Sequence, residues 1–147
     1  RSAALEAGVA AHADWTIAAQ LNGDFTQAKA YEETIAYLQS SPAPDVVYCE
    51  NDNMCFGVMQ ALDERGIAYG DGGVTLISFD AGRTALSYCK DGKIDLCAEC
   101  NPLHGPRVRA LIEQLARGET PEKLSYMPEA LFTADTLTAE LLESRVY

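Results

Sequence analysis

The stretch Val74-Thr75-Leu76-Ile77-Ser78-Phe79-Asp80 decides the fold of this chain. Its β-branched and aromatic residues are typical of a strand, and this strand ends in a carboxylate. Gly70-Asp71-Gly72-Gly73 in front of it indicates a turn, and a short helix is predicted behind it, from Thr84 to Gly92. The sequence here therefore predicts a turn, a strand, a polar residue and a helix, in that order.

Two further apolar runs have the same design. Val46 to Cys49 leads into Asn51-Asp52, and Ile94 to Ala98 leads into Glu99. Because helical segments lie between the runs, the order β-α-β-α-β predicts an α/β fold with a parallel sheet and right-handed crossovers. Parallel strands place their carboxyl ends together at one edge of the sheet, which is where such folds bind ligands.

Asn51, Asp80 and Glu99 are the polar residues that this order brings to the edge. Carboxylates repel phosphate but accept hydrogen bonds from hydroxyl groups, and an amide both donates and accepts. The first hypothesis from the residues alone is therefore a site for a sugar or a similar polyol.

Each of these residues also has a purely structural interpretation. Asn51 and Asp52 could form a helix-capping pair, although Asp52 or Asn53 is better placed to cap, which leaves Asn51 for a ligand. Asp80 could cap the helix that follows it, and Glu99 would be costly to bury without a cation. The candidate partners of Glu99 are Arg107 and Arg109.

The remaining elements are predicted from periodicity and from helix start and stop residues. Trp15 to Gln20 is predicted to be a strand, and Asp24 is placed to cap a helix from about Thr26 to Gln39. Further predicted elements are a strand from Asp45, a helix with the core stripe Met54, Val58 and Leu62, a helix from Leu103 to Gly118, an extended segment from Leu124 to Phe132, and a last helix capped by Asp135.

Composition narrows the functional classes. A chain of 147 residues supports one compact domain. Its net charge of -11 argues against nucleic acid as a partner, because affinity for phosphate backbones comes from clustered Lys and Arg. No apolar segment is long enough to span a bilayer. The chain opens at Arg1 with neither an initiator Met nor a leader, so we expect a piece of a longer protein.

Five cysteines form an odd set, so at least one is unpaired or bridges to material outside this chain. Buried free thiols are the favoured interpretation. Cys97 and Cys100 have CxxC spacing, but no second pair completes a zinc site, and Cys97 is predicted within a strand instead of at a helix start. We therefore expect no metal site, no cofactor and no catalytic residue.

Four motifs in fixed order carry a resemblance that spans essentially the whole chain. The motifs are Gly23-Asp24-Phe25-Thr26, Asn51-Asp52-Asn53-Met54 with Gly57, Ser78-Phe79-Asp80-Ala81-Gly82, and Glu99-Cys100-Asn101-Pro102 with Gly105-Pro106. The chain resembles the type I periplasmic sugar-binding proteins of bacterial ABC transporters, in the ribose- and galactofuranose-binding branch. Its closing Arg145-Val146-Tyr147 is also similar to the end of that branch.

The resemblance implies two similar α/β lobes that are joined by three crossing strands and clamp a sugar between them. This chain looks like the carboxy-terminal lobe, a three-layer unit with a parallel sheet, without the amino-terminal lobe. Residues 1–100 would form the sugar-binding lobe without its first strand. Residues 101–127 would cross into the missing lobe, and residues 128–147 would return.

The resemblance also implies the roles of five residues in ligand binding. Arg1 would donate hydrogen bonds to the sugar, Phe25 would stack on its ring, and Asn51 would supply a ligand amide. Asp80 would be the ligand carboxylate, and Glu99 would take a hinge-strand position that relatives fill with Gln or Glu. Without the resemblance, Phe25 would be interpreted as core and Arg1 as a solvated charge.

The function that follows is capture of a monosaccharide, an aldose, and its delivery to an ABC permease, with no bond made or broken. The implied location is the periplasm or, for a lipoprotein, the outer face of the membrane. The absent first strand would lie centrally, between Trp15 to Gln20 and the strand at Asp45, and would leave unpaired edges that favour self-association.

Two other classes stay open at this point. The effector domain of a lactose-repressor-type transcription regulator shares this fold, and a helix-turn-helix upstream would identify it. A glycosidase would use Asp80 and Glu99 as its acid and base, at a carboxylate separation of roughly 5 to 9.5 Å.

Overall fold

A four-stranded sheet organises the computed structural model, which describes residues 1–147. Its strands are β1 (Val46–Tyr48), β2 (Thr75–Asp80), β3 (Leu96–Glu99) and β4 (Leu131–Phe132), in that spatial order. β1, β2 and β3 run parallel, whereas β4 pairs antiparallel with β3. The predicted α/β fold is confirmed, and parallel pairing holds for the three strands that the apolar runs predicted.

Six helices accompany the sheet. They are α1 (Ser2–Ala10), α2 (Gln27–Ser40), α3 (Asp52–Arg65), α4 (Arg83–Lys90), α5 (Gly105–Ala116) and α6 (Ala139–Ser144). The crossover from β1 to β2 is α3 and that from β2 to β3 is α4, in the order that the sequence predicted. No helix combines the length and the apolar character needed to cross a membrane.

The core lies between the sheet and the two crossover helices. Leu62 of α3, Leu76 of β2 and Leu86 of α4 are almost fully buried in one apolar cluster. Along β2, burial alternates with a period of two residues, as expected for a strand with one face on the core. Four cysteines are buried in the core cluster, and Cys100 is exposed.

Helices α2 and α3 pack closely at Gly57. A Cβ at this position would overlap the backbone carbonyl of Gln27 and crowd the backbone nitrogen of Tyr31 and the Cβ of Ala30. The absence of a side chain therefore sets how near α2 comes to α3.

The prediction of a strand from Trp15 to Gln20 is wrong. These residues pair with no strand, and the side chain of Trp15 is 56% exposed. A strand needs a neighbour for its backbone groups, and β1 is an edge strand that pairs only with β2. Self-association through this edge stays a prediction.

Two predicted helix caps are also wrong. Thr26 caps α2 in place of Asp24, since its Oγ1 accepts a hydrogen bond from the Lys29 nitrogen at 3.2 Å. Asp24 has a φ of +49°, whereas a cap residue needs an extended backbone. At the last helix, Thr138 caps α6 in place of Asp135, because residues 133–136 close a separate turn.

Helix α5 carries an apolar face that nothing covers. Val108, Ile112 and Leu115 recur at helical spacing and are all exposed, and no residue of the helix is buried. Tyr126, in the segment that follows, is also exposed. The helix thus forms as predicted but without the packing that its pattern anticipates.

A buried carboxylate, Asp52, holds the start of α3 to the end of β2. Its Oδ1 accepts a hydrogen bond from the Ser78 hydroxyl at 2.5 Å, and its Oδ2 accepts one from the Gly82 nitrogen at 2.8 Å. Burial raises the pKa of Asp52 above its ordinary value of 3.8, and the two hydrogen bonds only partly oppose this rise.

Asp52 therefore gives a test of the pH dependence of stability. Since its folded pKa lies above the unfolded one, the native state binds the extra proton, and stability falls as pH rises from about 3.8 through the folded pKa. We expect the free energy of unfolding of Asp52→Asn, relative to wild type, to increase across this window in urea titrations. The exposed Asp14→Asn variant controls for the lost charge; the same trend in both variants would contradict the assignment.

Candidate functional site

The candidate site lies at the carboxyl edge of the parallel strands. Asp80 and Glu99 are register partners at the ends of β2 and β3. Asn51 follows β1 and directly precedes α3. The edge that the sequence predicted is therefore present, with one polar residue at or just after each parallel strand.

Arg1 and Asp80 form an ion pair at this edge. Arg1 Nη2 lies 2.9 Å from Asp80 Oδ1, and Arg1 Nη1 donates to the backbone carbonyl of Glu50. Partial burial lowers the pKa of Arg1, but the hydrogen bond and the charge of Asp80 outweigh this effect and raise the pKa overall. The guanidinium therefore stays charged. Its central carbon also lies 4.9 Å from the centroid of the Phe79 ring.

Asp80 retains binding capacity in this pair. Its side chain is 44% exposed, and its Oδ2 accepts no hydrogen bond within the chain. Its φ is +96° and that of Ala81 is +58°, both in the region that L-residues rarely occupy. Such conformations cluster at ligand-binding loops, where the surrounding structure has to hold them in place.

Asn51 is the helix cap of α3, so the prediction that Asp52 or Asn53 caps this helix is wrong. Its Oδ1 accepts a hydrogen bond from the Met54 nitrogen at 2.8 Å, because Asn51 has an extended backbone and Asp52 is already helical. Its Nδ2 donates to the Phe25 carbonyl at 3.1 Å. The amide keeps one hydrogen and one lone pair for a further partner.

Phe25 is not a core residue. Its side chain is 60% exposed, and its φ of +54° belongs to the left-handed turn before α2. The hydrogen bond from Asn51 to the Phe25 carbonyl ties this turn to the end of β1, so Phe25 lies at the same edge as the polar residues.

Glu99 is held within the chain by partners that the sequence did not predict. Its Oε1 accepts hydrogen bonds from Arg145 and Tyr147, and its Oε2 accepts one from the Ala130 nitrogen at 3.1 Å. Arg107 and Arg109, the expected partners, instead bind Tyr126 and Glu113 respectively.

The Glu99–Arg145 pair is buried, with side chains only 10% and 9% exposed. Burial raises the pKa of Glu99, but the hydrogen bonds from Tyr147 and Arg145 more than compensate and lower it overall. A carboxylate held ionised by three donors does not suit a general acid, so Glu99 is a poor candidate for the acid of a glycosidase.

Hydrogen bonds bring four of the five predicted residues together, with Glu50 as the link between Asn51 and Arg1, and Asn51 is only 8% exposed. Phe25 bonds to Asn51, Arg1 bonds to Glu50 beside it, and Arg1 bonds to Asp80. Glu99 lies next to Asp80 because the two are register partners in β2 and β3. Its side chain, however, lines a separate cleft of about 180 Å³, together with the last residues of the chain.

The sequence analysis missed Arg145 and Tyr147 as functional partners. The sequence Arg145-Val146-Tyr147 only resembles the end of the family's chains. Nothing in the sequence indicates that Arg145 contacts Glu99, which is 46 positions away. No group of three or more His, Cys, Asp or Glu side chains is arranged to hold a metal ion.

Comparison with known proteins identifies the family of this chain. The periplasmic binding protein domain matches residues 1–115. The galactofuranose-binding protein YtfQ of Escherichia coli is 31% identical over 124 residues, which cover 82% of this chain and 39% of that protein. The fructose import binding protein FruE of Bifidobacterium longum is 31% identical over 83 residues, which cover 56% of this chain and 24% of that protein.

A solved structure agrees with these matches. A Mycobacterium smegmatis protein in complex with β-D-fucofuranose superposes with a TM-score of 0.83 and 29% identity, covering 91% of this chain and 44% of that chain. The chain thus spans less than half the length of these three relatives. This chain belongs to the periplasmic binding protein family and has its type I α/β fold.

Proposed function

We propose that this chain is the carboxy-terminal part of an extracytoplasmic solute-binding protein that captures a monosaccharide and delivers it to an ABC permease. The observation that carries the proposal is the contiguous edge formed by Arg1, Phe25, Asn51 and Asp80. The sugars named for three relatives, galactofuranose, fructose and fucofuranose, support a monosaccharide as the ligand.

The chemistry of the edge suits a sugar. The free Oδ2 of Asp80 accepts hydrogen bonds from hydroxyl groups, and such charge-assisted bonds are about twice as strong as neutral ones. Arg1 supplies only donors and Asn51 supplies one of each kind. The exposed face of Phe25 packs on the C–H face of a sugar ring and excludes water from the polar contacts beside it.

The domain organisation belongs to the same proposal. Residues 1–100 form the sugar-binding lobe, residues 101–127 cross towards a second lobe, and residues 128–147 return. The uncovered apolar face of α5, which lies within the crossing segment, supports this division, because an amphipathic helix needs a partner for its apolar side. The sugar would be held between the two lobes, and ligand-driven closure would create the shape that the permease recognises.

The proposed location is the periplasm or the outer face of the cell membrane. The matching family model, described as a periplasmic binding protein domain, supports a location outside the cytoplasm. The protein would act by binding alone, without a cofactor and without chemical change to the sugar.

A titration with monosaccharides tests the site. We expect amide signals of residues around Asp80 and Asn51 to shift on addition of an aldose or of fructose at millimolar concentration, followed by NMR. Asp80→Asn should weaken this binding by roughly tenfold to a hundredfold, because a charge-assisted hydrogen bond is lost. Asp45→Asn, at the opposite end of β1, is the matched control, and an unchanged affinity in Asp80→Asn would refute the assignment.

The affinity of the 147-residue chain should be low, because a second lobe would supply the other wall of the site. Calorimetric titration with a panel of aldoses should give dissociation constants well above the micromolar range. Micromolar binding by this chain alone would show that a second wall is not needed.

Delivery to a permease is tested in cells. Deleting the gene that encodes this chain should abolish high-affinity uptake of the radiolabelled sugar that binds it, and leave uptake of an unrelated amino acid unchanged. Normal sugar uptake in the deletion strain would argue for a role outside transport.

A further inference from the structure

The last residues of the chain are bound to the start of α4. We call residues 143–147 the carboxy-terminal tail. Arg83 Nη2 donates to the Glu143 carbonyl at 2.8 Å, and its Nε donates to the Arg145 carbonyl at 2.9 Å. The backbone nitrogen of Arg83 donates to the Tyr147 carbonyl at 2.7 Å. Arg83 therefore donates to the backbone carbonyls of three alternate residues of the tail.

The tail is also bound to the end of β3. The Arg145 guanidinium pairs with Glu99 at the end of β3, and Tyr147 donates to the same carboxylate. The Arg145 guanidinium carbon lies 5.1 Å from the Phe132 ring centroid and 4.7 Å from that of Tyr147. A planar cation that contacts two aromatic rings and pairs with a buried carboxylate is strongly fixed in position.

The tail therefore spans the loop that carries Asp80. Asp80 and Ala81, which both have positive φ, lie immediately before Gly82 and Arg83. The Gly82 nitrogen bonds to Asp52, and the Arg83 nitrogen bonds to Tyr147. On the other side, the Cys100 nitrogen donates to the Asp80 carbonyl at 3.3 Å.

Two consecutive non-glycine residues with positive φ are unfavourable unless neighbouring contacts hold them. The side chain of Asp80 supplies one such contact, through Arg1, but a sugar would compete for it. The tail contacts are independent of that pair, since they bind the backbone nitrogen and the side chain of Arg83, three residues beyond Asp80.

We infer that the carboxy-terminal tail is a positioning element for the sugar-binding loop, with Arg83 and Arg145 as positioning residues that keep Asp80 and Ala81 in their left-handed backbone conformation. This inference rests on the proposed function only in naming a sugar as the ligand of the loop. The backbone conformation of the loop does not depend on that function. The tail thereby fixes where the Asp80 carboxylate points when Arg1 gives way to a ligand.

NMR of the ligand-free 147-residue chain tests this inference. A residue with positive φ gives a strong intraresidue NOE between its amide and Hα protons. We expect this signal for Asp80 and Ala81 in wild type, and its loss in Arg83→Gln and Arg145→Gln. Exchange of the Arg83 amide should also accelerate, by about fivefold to tenfold, because its bond to the tail weakens.

Arg109→Gln is the matched control, since Arg109 forms only an exposed pair with Glu113 on α5. Should Arg145→Gln unfold, Arg83→Lys carries the test: it keeps the charge but cannot span two carbonyls with a planar fork, so a partial loss of the NOE is expected. Retention of the strong NOE for Asp80 and Ala81 in folded Arg83→Gln overturns the inference.

A sugar titration of the same variants separates this inference from the proposed function. If wild type shows no shift with any sugar, the proposed function fails and the NOE result still decides the role of the tail. If wild type binds a sugar, Arg83→Gln should bind it more weakly than Arg109→Gln does. Equal affinities of the two variants would contradict the positioning role.

Discussion

The pairing of β2 with β3 places two carboxylates side by side, and arginine side chains at the same edge neutralise their charges. Asp80 and Glu99 are register partners, and like charges in adjacent strand positions destabilise a sheet. Each carboxylate has its own arginine, from opposite ends of the chain: Arg1 for Asp80 and Arg145 for Glu99. Residues from the first and last segments of the chain therefore meet at the same edge of the sheet.

The two ion pairs differ in burial, and this difference separates their roles. Arg1 and Asp80 are 27% and 44% exposed, so water already competes for the pair and its net contribution to stability is small. The pair of Glu99 and Arg145 is buried, and removing either partner would leave an uncompensated charge. In an exposed ion pair, one residue can release the other and bind a ligand instead. A buried ion pair stays formed and has a structural role.

The sequence predicted those features that depend on neighbours along the chain. The three parallel strands and their crossover helices follow from apolar runs and glycine stops, and the residues at the strand ends reach the edge as expected. The caps at Asp24 and at Asp52 or Asn53 were wrong because backbone angles decide capping, and a left-handed turn before α2 is not visible in residue types. The partner of Glu99 depends on a contact across 46 positions, which no local pattern encodes.

The close packing at Gly57 has a consequence for the aromatic side of the edge. Helix α2 begins at Gln27, two residues after Phe25, and the carbonyl of Gln27 occupies the space that a side chain at position 57 would need. The absence of a side chain at Gly57 therefore sets where α2 begins, only two residues after Phe25. A larger residue at position 57 would displace the start of α2, and with it the neighbouring turn at Phe25, although none of the candidate site residues would itself be changed.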